Sequence, residues 1–487
     1  MKRFLLFFLI LFPLLAPGEV TLPKVIGDNM VLQQGKPVKI WGNAEPGERV
    51  TVNFEGKNYS TVTNAAGEWA VMLNNPDIRK EPQQMTISGN GDKIVLNNIL
   101  VGEVWLASGQ SNMEYSMNNH PQYRKPQKGD PDYQTKEFLN ADNPLIRVLY
   151  VKKDIKSDTL PSDGWQMIDT ATLSPVSAPA YFFAKKISAD LGVPVGIIST
   201  SWGGTPIEQW TPMEGYVNSD FEGEIVDGKL DKQTIAQRFD KMVRPVIPYT
   251  LKGFLWYQGE TNLINGDTIR YADKMKVLVD SWRGMWGDKN NTMPFYYVQI
   301  APHTYSRRRN ERDSVRHDEY GLPLFWEVQS LAQDIPNTGM IVTTDLVDAL
   351  HDIHPPYKWI VGERLARLAL AKDYGREGLV YSGPVYKSST VSGNKLTLTF
   401  DHIGKELKTR NGENPDWFEI SGADGIFYEA DAVIAGNKII LSSDEVPNPV
   451  AARFAWHENA MPNLVNSEGL PAVPFRTKDR FEWSYNK

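Results

Sequence analysis

The run Ile99-Leu100-Val101-Gly102-Glu103-Val104-Trp105-Leu106-Ala107 holds one charge in nine residues and ends in Ser108-Gly109. A strand with one wet face alternates apolar and polar residues. A near-continuous apolar run instead predicts a strand buried on both faces, as in a parallel sheet covered by helices. This commits the middle of the chain to an α/β arrangement, and its surroundings agree. Ser177 to Leu191 reads as an amphipathic helix stopped at Gly192, and Val195 to Ser199 as the strand after it. A second helix is expected around residues 232–243, then a strand Gly253-Phe254-Leu255-Trp256-Tyr257, with further strands at Pro294–Gln299 and Gly339–Thr343. A helix from Trp359 to Ala371 places Val361, Leu365, Leu368 and Ala369 on one face. Helices alternating with buried strands predict a doubly wound parallel-sheet domain over residues 99–383.

The flanks have another period. In residues 19–98, Val50-Thr51-Val52-Asn53-Phe54 alternates strictly, Pro46-Gly47 and Ala66-Gly67 punctuate, and Trp41 and Trp69 fall at strand positions. In residues 384–487, Gly393-Asn394 and Gly436-Asn437 precede alternating strands as hairpin turns do. Two small all-β domains therefore flank the α/β domain, which suits a chain of 487 residues. The first eighteen residues stand apart. Lys2-Arg3, the apolar run Phe4 to Leu15 and Ala16-Pro17-Gly18 fit a secretory signal peptide too short to span a membrane. The expected destination is the periplasm or the cell exterior, without a lipid anchor, because no cysteine follows the run.

Composition excludes several classes. A net charge of −7 argues against nucleic acid, which needs a basic face. The one basic run, Arg307-Arg308-Arg309, sits near Glu311 and Asp313 and reads as a solvated loop, with an anion site as the alternative. No cysteine means no disulfide, no thiolate nucleophile and no Cys-ligated metal. Fourteen Trp, twenty Tyr and nineteen Phe mostly serve β-domain cores, and a minority can be platforms for sugar rings. No later segment reaches eighteen apolar residues, and no feature sets an oligomeric state.

In open α/β sheets ligands bind outside the carboxyl ends of the strands, so strand ends are where chemistry is sought. Ser108-Gly109-Gln110-Ser111-Asn112-Met113 ends the buried strand with a serine on a tight strand-to-helix turn, its own N–H placed for an oxyanion. Ser201-Trp202-Gly203-Gly204-Thr205 follows the next strand, and its paired glycines either offer an amide to the same pocket or only shape a loop. Gln258-Gly259-Glu260-Thr261-Asn262 supplies side-chain amides at a third strand end. Asp348-Ala349-Leu350-His351-Asp352-Ile353-His354-Pro355 gathers two of seven histidines with carboxylates, as a general base and its orienting acid require. The alternative for His351, Asp352 and His354 is a metal site, although ligands so close in sequence seldom converge. The polar segment Asn118 to Asn143 is either an ordered loop over the site or a surface excursion.

Six segments in order resemble the SGNH-hydrolase superfamily, and within it the sialate O-acetylesterase family of carbohydrate esterases. They are Gly27-Asp28-Asn29-Met30-Val31-Leu32-Gln33, Gly109-Gln110-Ser111-Asn112-Met113-Glu114, Trp202-Gly203-Gly204-Thr205-Pro206-Ile207-Glu208, Trp256-Tyr257-Gln258-Gly259-Glu260-Thr261-Asn262, Asp352-Ile353-His354-Pro355, and Asn466-Ser467-Glu468-Gly469-Leu470-Pro471-Ala472. The resemblance implies a flavodoxin-like catalytic domain that cleaves acetyl esters from sugar hydroxyls without a metal or other cofactor. It makes Ser111 the nucleophile, His354 the base and Asp352 the acid. It implies an oxyanion hole of Ser111, Gly203 or Gly204, and Gln258, with Asn262 as the alternative amide, and substrate contacts at Gln110, Asn112, Trp202 and Glu260. The superfamily usually spaces acid and histidine three apart, whereas Asp352 is two before His354; Asp348 and Asp345 are the other candidate acids. The implied substrate is an O-acetylated sialic acid or an acetylated plant polysaccharide such as xylan. A sugar-binding protein without turnover, and a lipase or thioesterase, are the rival classes.

Overall fold

The computed structural model describes residues 19–91, 93–118, 125–308 and 315–486. The expected signal segment, residues 1–18, and Arg309, Glu311 and Asp313 lie outside the described residues.

The apolar run is the axis of the molecule. It belongs to one strand, Lys93–Gly109, whose burial changes along its length from alternating to continuous. The first half pairs with Arg79–Ser88 and, in parallel, with Val31–Gln33, inside the N-terminal β-domain. The second half is the centre of a sheet ordered Thr338–Ile341, Phe295–Val298, Gly253–Tyr257, Lys93–Gly109, Val195–Ser201, Ile146–Tyr150, Trp165–Met167. Every pairing in this order is parallel except the last. A boundary at residue 98 thus falls inside a strand that both sheets share. Side chains of a strand alternate between faces, and both faces here are covered. Trp105 and Ala107 pack with Phe183, Leu365 and Leu368, while Val104 and Leu106 share a core with Leu278, Trp282 and Trp326. The lone charge of the run, Glu103, is buried but accepts hydrogen bonds from Gln33 and Gln34 of the N-terminal domain and from Tyr374.

Helix Ala178–Leu191 begins at Ser177, whose hydroxyl accepts the Ala180 N–H, and stops at left-handed Gly192, as its sequence predicts. Lys358–Asp373 lies against it. The helix expected over 232–243 does not form. Lys232 and Ala236 adopt positive φ, Lys229–Leu230 and Gln233–Thr234 make a hairpin, and only the short turn Phe239–Val243 is helical. Left-handed residues cannot continue a right-handed helix, so tertiary packing of Phe239, Met242 and Val243 overrides the apolar period there. Beyond residue 384, hairpins turn at Gly393 and Gly436. The sheet Val385–Ser392, Lys395–Asp401, Lys438–Ser442, Asp431–Ala435 faces a second one formed by Phe427–Glu429, Phe418–Ser421, Ala451–Phe454 and Phe475–Arg476, with Leu398 and Phe400 sharing a core with Phe454 and Phe475. Among the described residues no helix is long and apolar enough to cross a membrane.

Candidate active site

Strand order reverses at the central strand, so a crevice opens where its neighbours diverge. Register sets three strand ends level: Gly109 pairs with Ser201 on one side and Tyr257 on the other. Gly109 is obligatory there, because its φ is +142° and a Cβ would lie 2.2 Å from the Tyr257 carbonyl oxygen. The chain then turns through Gln110 into the short helix Ser111–Glu114. The amide N–H of Ser111, at the helix start, has no intrahelical acceptor.

A cavity of about 510 Å³ opens at this point, lined among others by Ser111, Glu114, Lys153, Trp202, Gly203 and His354. His354 Nε2 stands 2.9 Å from Ser111 Oγ. Asp352 Oδ1 is 3.7 Å from His354 Nδ1, beyond hydrogen-bond length, and accepts the backbone N–H of His354 at 2.9 Å. Burial opposes ionisation of Asp352, but the His354 imidazole and backbone N–H outweigh it and hold the carboxyl below its usual range. The other candidate acids are engaged elsewhere: Asp345 takes both terminal nitrogens of Arg364, and Asp348 takes Tyr357 Oη and the Gln127 N–H. That last contact, with the Lys128 N–H donated to Tyr357, folds the described part of the 118–143 segment against the His354 loop. His351 is exposed and does not line the cavity.

The expected amides are placed differently. Gln258 is buried below the cavity, and its Nε2 donates to Asn262 Oδ1 at 2.6 Å, to Gln110 Oε1 at 3.2 Å and to the Thr205 carbonyl at 3.3 Å. Asn262 is equally committed: its Nδ2 faces Glu208 and Asp267, and its Oδ1 takes the Ile207 N–H. These two carboxylates also hold buried Lys274, whose charge they maintain against the opposing effect of burial. Neither Gln258 nor Asn262, the amides expected at the oxyanion, is among the residues lining the cavity. Gln110 lines the cavity instead. Its Oε1 faces the N–H groups of Thr261 at 3.1 Å and Gly259 at 3.5 Å, which can only donate. The opposite end, Nε2, is thereby directed away from that wall.

Gly203 and Gly204 both line the cavity. The Gly203 N–H, however, is donated to Glu114 Oε2, and the other Glu114 oxygen is ion-paired with Lys153. Trp202 lines the wall beneath the Arg238 guanidinium, 3.7 Å from its ring centre. Asn112, expected to touch substrate, is fully buried. Its Nδ2 donates to Glu260 Oε1 and to the Ile353 carbonyl, and its Oδ1 accepts from Lys358 Nζ. Asn112 therefore joins the serine turn to the histidine loop from below. Lys358 sits between the rings of Tyr115 and Tyr257, and burial lowers its pKa to about 7. Glu260 borders the cavity but is 1% exposed, and burial raises its carboxyl pKa.

Three features in or beneath the pocket escaped the sequence. Glu114 is one helical turn from Ser111, a spacing that puts both on one face. Lys153 lies past the carboxyl end of Ile146–Tyr150, where a search of strand ends finds it once that strand, marked by the buried Arg147, is recognised. Lys358 opens the helix that follows His354 and leaves no periodic signal.

A serine and a histidine in contact at the switch point of a parallel sheet have the arrangement that serine ester hydrolases use. Residues 101–371 match the family described as carbohydrate esterase, sialic acid-specific acetylesterase. The sialate O-acetylesterase of Pongo abelii is 27% identical, with 92% of this chain and 91% of that protein covered. The one from Homo sapiens is 26% identical over the same shares. A solved carbohydrate acetylesterase from Xanthomonas citri is 34% identical, superposes with a TM-score of 0.82, and is covered in full by 95% of this chain. The chain belongs to the sialic acid-specific acetylesterase family of carbohydrate esterases.

Proposed function

We propose that the chain removes acetyl groups from sugar hydroxyls by two-step acyl transfer, and the 2.9 Å contact between Ser111 Oγ and His354 Nε2 carries this reading. Ser111 attacks the ester carbonyl while His354 takes its proton. The sugar alkoxide leaves with that proton, and water, activated by His354, hydrolyses the acetyl-enzyme. Asp352 orients and electrostatically supports the imidazolium across 3.7 Å. The oxyanion receives the Ser111 N–H and Gln110 Nε2. The Gly203 N–H joins them when the oxyanion replaces Glu114 as its acceptor. Hydrolysis of p-nitrophenyl acetate tests this: Ser111→Ala is expected to lower kcat by more than about 10³-fold with an unchanged Tm. Equal rates would overturn the assignment and favour a non-catalytic sugar-binding protein.

The relatives' names point to O-acetylated sialic acid as substrate. One observation favours the second reading, an acetylated neutral polysaccharide such as xylan: Lys153, the lysine of the cavity wall, is already paired with Glu114. A sialic acid carboxylate would have to share that ammonium with the Glu114 carboxylate, which repels it. Acetate release compared on acetylated xylan and on O-acetylated mucin distinguishes the two. The basic and apolar start of the chain supports export to the periplasm or beyond, which cell fractionation would check.

A further inference from the structure

A second cavity, about 380 Å³, lies in the C-terminal β-domain where that domain meets Tyr320 of the α/β domain. Its size is that of a small-molecule site. Asp416, Trp417, Glu429, Trp456 and His457 line it. Arg453 also lines it and is already committed, bonded through two nitrogens to Glu419 and stacked over Tyr320 and Phe427. Trp417 is 37% exposed, the one exposed tryptophan of fourteen. Its φ is +62°, an outlier for so bulky a residue, which the surroundings must impose. They do so on both sides. Asp416 and Asn463 exchange hydrogen bonds of 3.2 and 2.8 Å, and the Ala455 N–H holds the Trp417 carbonyl at 2.9 Å. The indole is thus displayed beside the His457 ring, 5.9 Å away. Asp416 and Glu429 both line the cavity, and among the described residues neither forms an ion pair. With Asp416 Oδ1 taken by the Asn463 N–H, its other oxygen and the Glu429 carboxylate are the acceptors the cavity can offer.

We propose that this cavity binds a pyranose ring of a neutral glycan chain, with Trp417 against the C–H face and Asp416, Glu429 and His457 on the hydroxyl groups. Two carboxylates without an ion-pair partner repel anionic sugars, and their open oxygens match hydroxyl donors. The site stands apart from Ser111 and does not depend on the ester chemistry proposed there; it would hold a polymer while the other pocket works along it.

Affinity electrophoresis of the full chain carrying Ser111→Ala, in native gels containing arabinoxylan, hydroxyethyl cellulose or galactomannan, tests this. At least one neutral polymer is expected to retard it in a Trp417-dependent way, and polysialic acid is not. Adding Trp417→Gly, which removes the indole and suits the positive φ, should raise the apparent Kd roughly tenfold, the scale of one lost aromatic contact. Trp417→Gly alone should leave p-nitrophenyl acetate turnover unchanged, which also reports that the variant folds. Absence of retardation by all three polymers, retardation indifferent to Trp417→Gly, or retardation by polysialic acid that Trp417→Gly abolishes would overturn the proposal.

Discussion

Side-chain direction separates what could be read at single residues from what could not. The meeting of Ser111 and His354 was legible, because a serine expected on a strand-end turn and a histidine expected beside a carboxylate are both placed by their segments. The direction of Gln258 was not legible, because an amide at a strand end does not reveal which way it points. Tyr271, Asn262 and Gln110 turn it inward. The two glutamines should therefore respond oppositely. Gln110→Ala is expected to lower kcat about 10²–10³-fold with little change in Tm, the effect of losing one oxyanion donor. Gln258→Ala should act on stability, by about 1–3 kcal/mol, because it strands buried partners; thermal unfolding and acetate-release kinetics check both. Asp352→Asn should lower kcat by less than the roughly 10⁴-fold seen in tightly bonded triads, given its 3.7 Å separation. Lys358 carries a pH signature. Its folded pKa of about 7 lies below the ordinary lysine value. Between about pH 7 and 10.5 the unfolded chain holds more protons, so this group's contribution to stability rises with pH in that window. The Tm of Lys358→Met minus that of the parent should accordingly fall between pH 6 and pH 9.

Periodicity made most elements legible at their own scale. Ser177 and Gly192 bracket a helix that forms as written, and the Gly393 and Gly436 hairpins turn where expected. It failed over 232–243, where residues with a helical apolar period are pulled into a hairpin and a short turn by the core beneath them. It also missed Ile146–Tyr150, because Arg147 interrupts the strand yet is buried, bonded to backbone carbonyls. The element that most constrains the site is the strand-to-helix turn. Gly109→Ala would drive a Cβ into the Tyr257 carbonyl at a backbone angle alanine disfavours. A stability loss of roughly 2–4 kcal/mol is expected, visible as a lower denaturation midpoint, with activity lost before the fold because Ser111 shifts with the turn.

Fold class was legible for the whole molecule from one apolar run, but the union of its first two domains was not. A change of period at residue 99 looks like a border, whereas hydrogen bonding carries Lys93–Gly109 through both sheets. Side chains add to the union: Tyr249 donates to the Val31 carbonyl, Trp165 to the Val25 carbonyl, and Gln33 to Glu103. A chain beginning at residue 99 would expose Ile99, Leu100 and Val101 and leave Glu103 short of partners. It is expected to be insoluble, and calorimetry of the full chain should show the N-terminal and α/β domains melting together. The shared strand also bears on how such a protein can change over generations. A recombination breakpoint at the apparent border would sever a ladder of backbone hydrogen bonds instead of a linker, so exchange of the N-terminal module alone carries a cost that exchange at a linker does not.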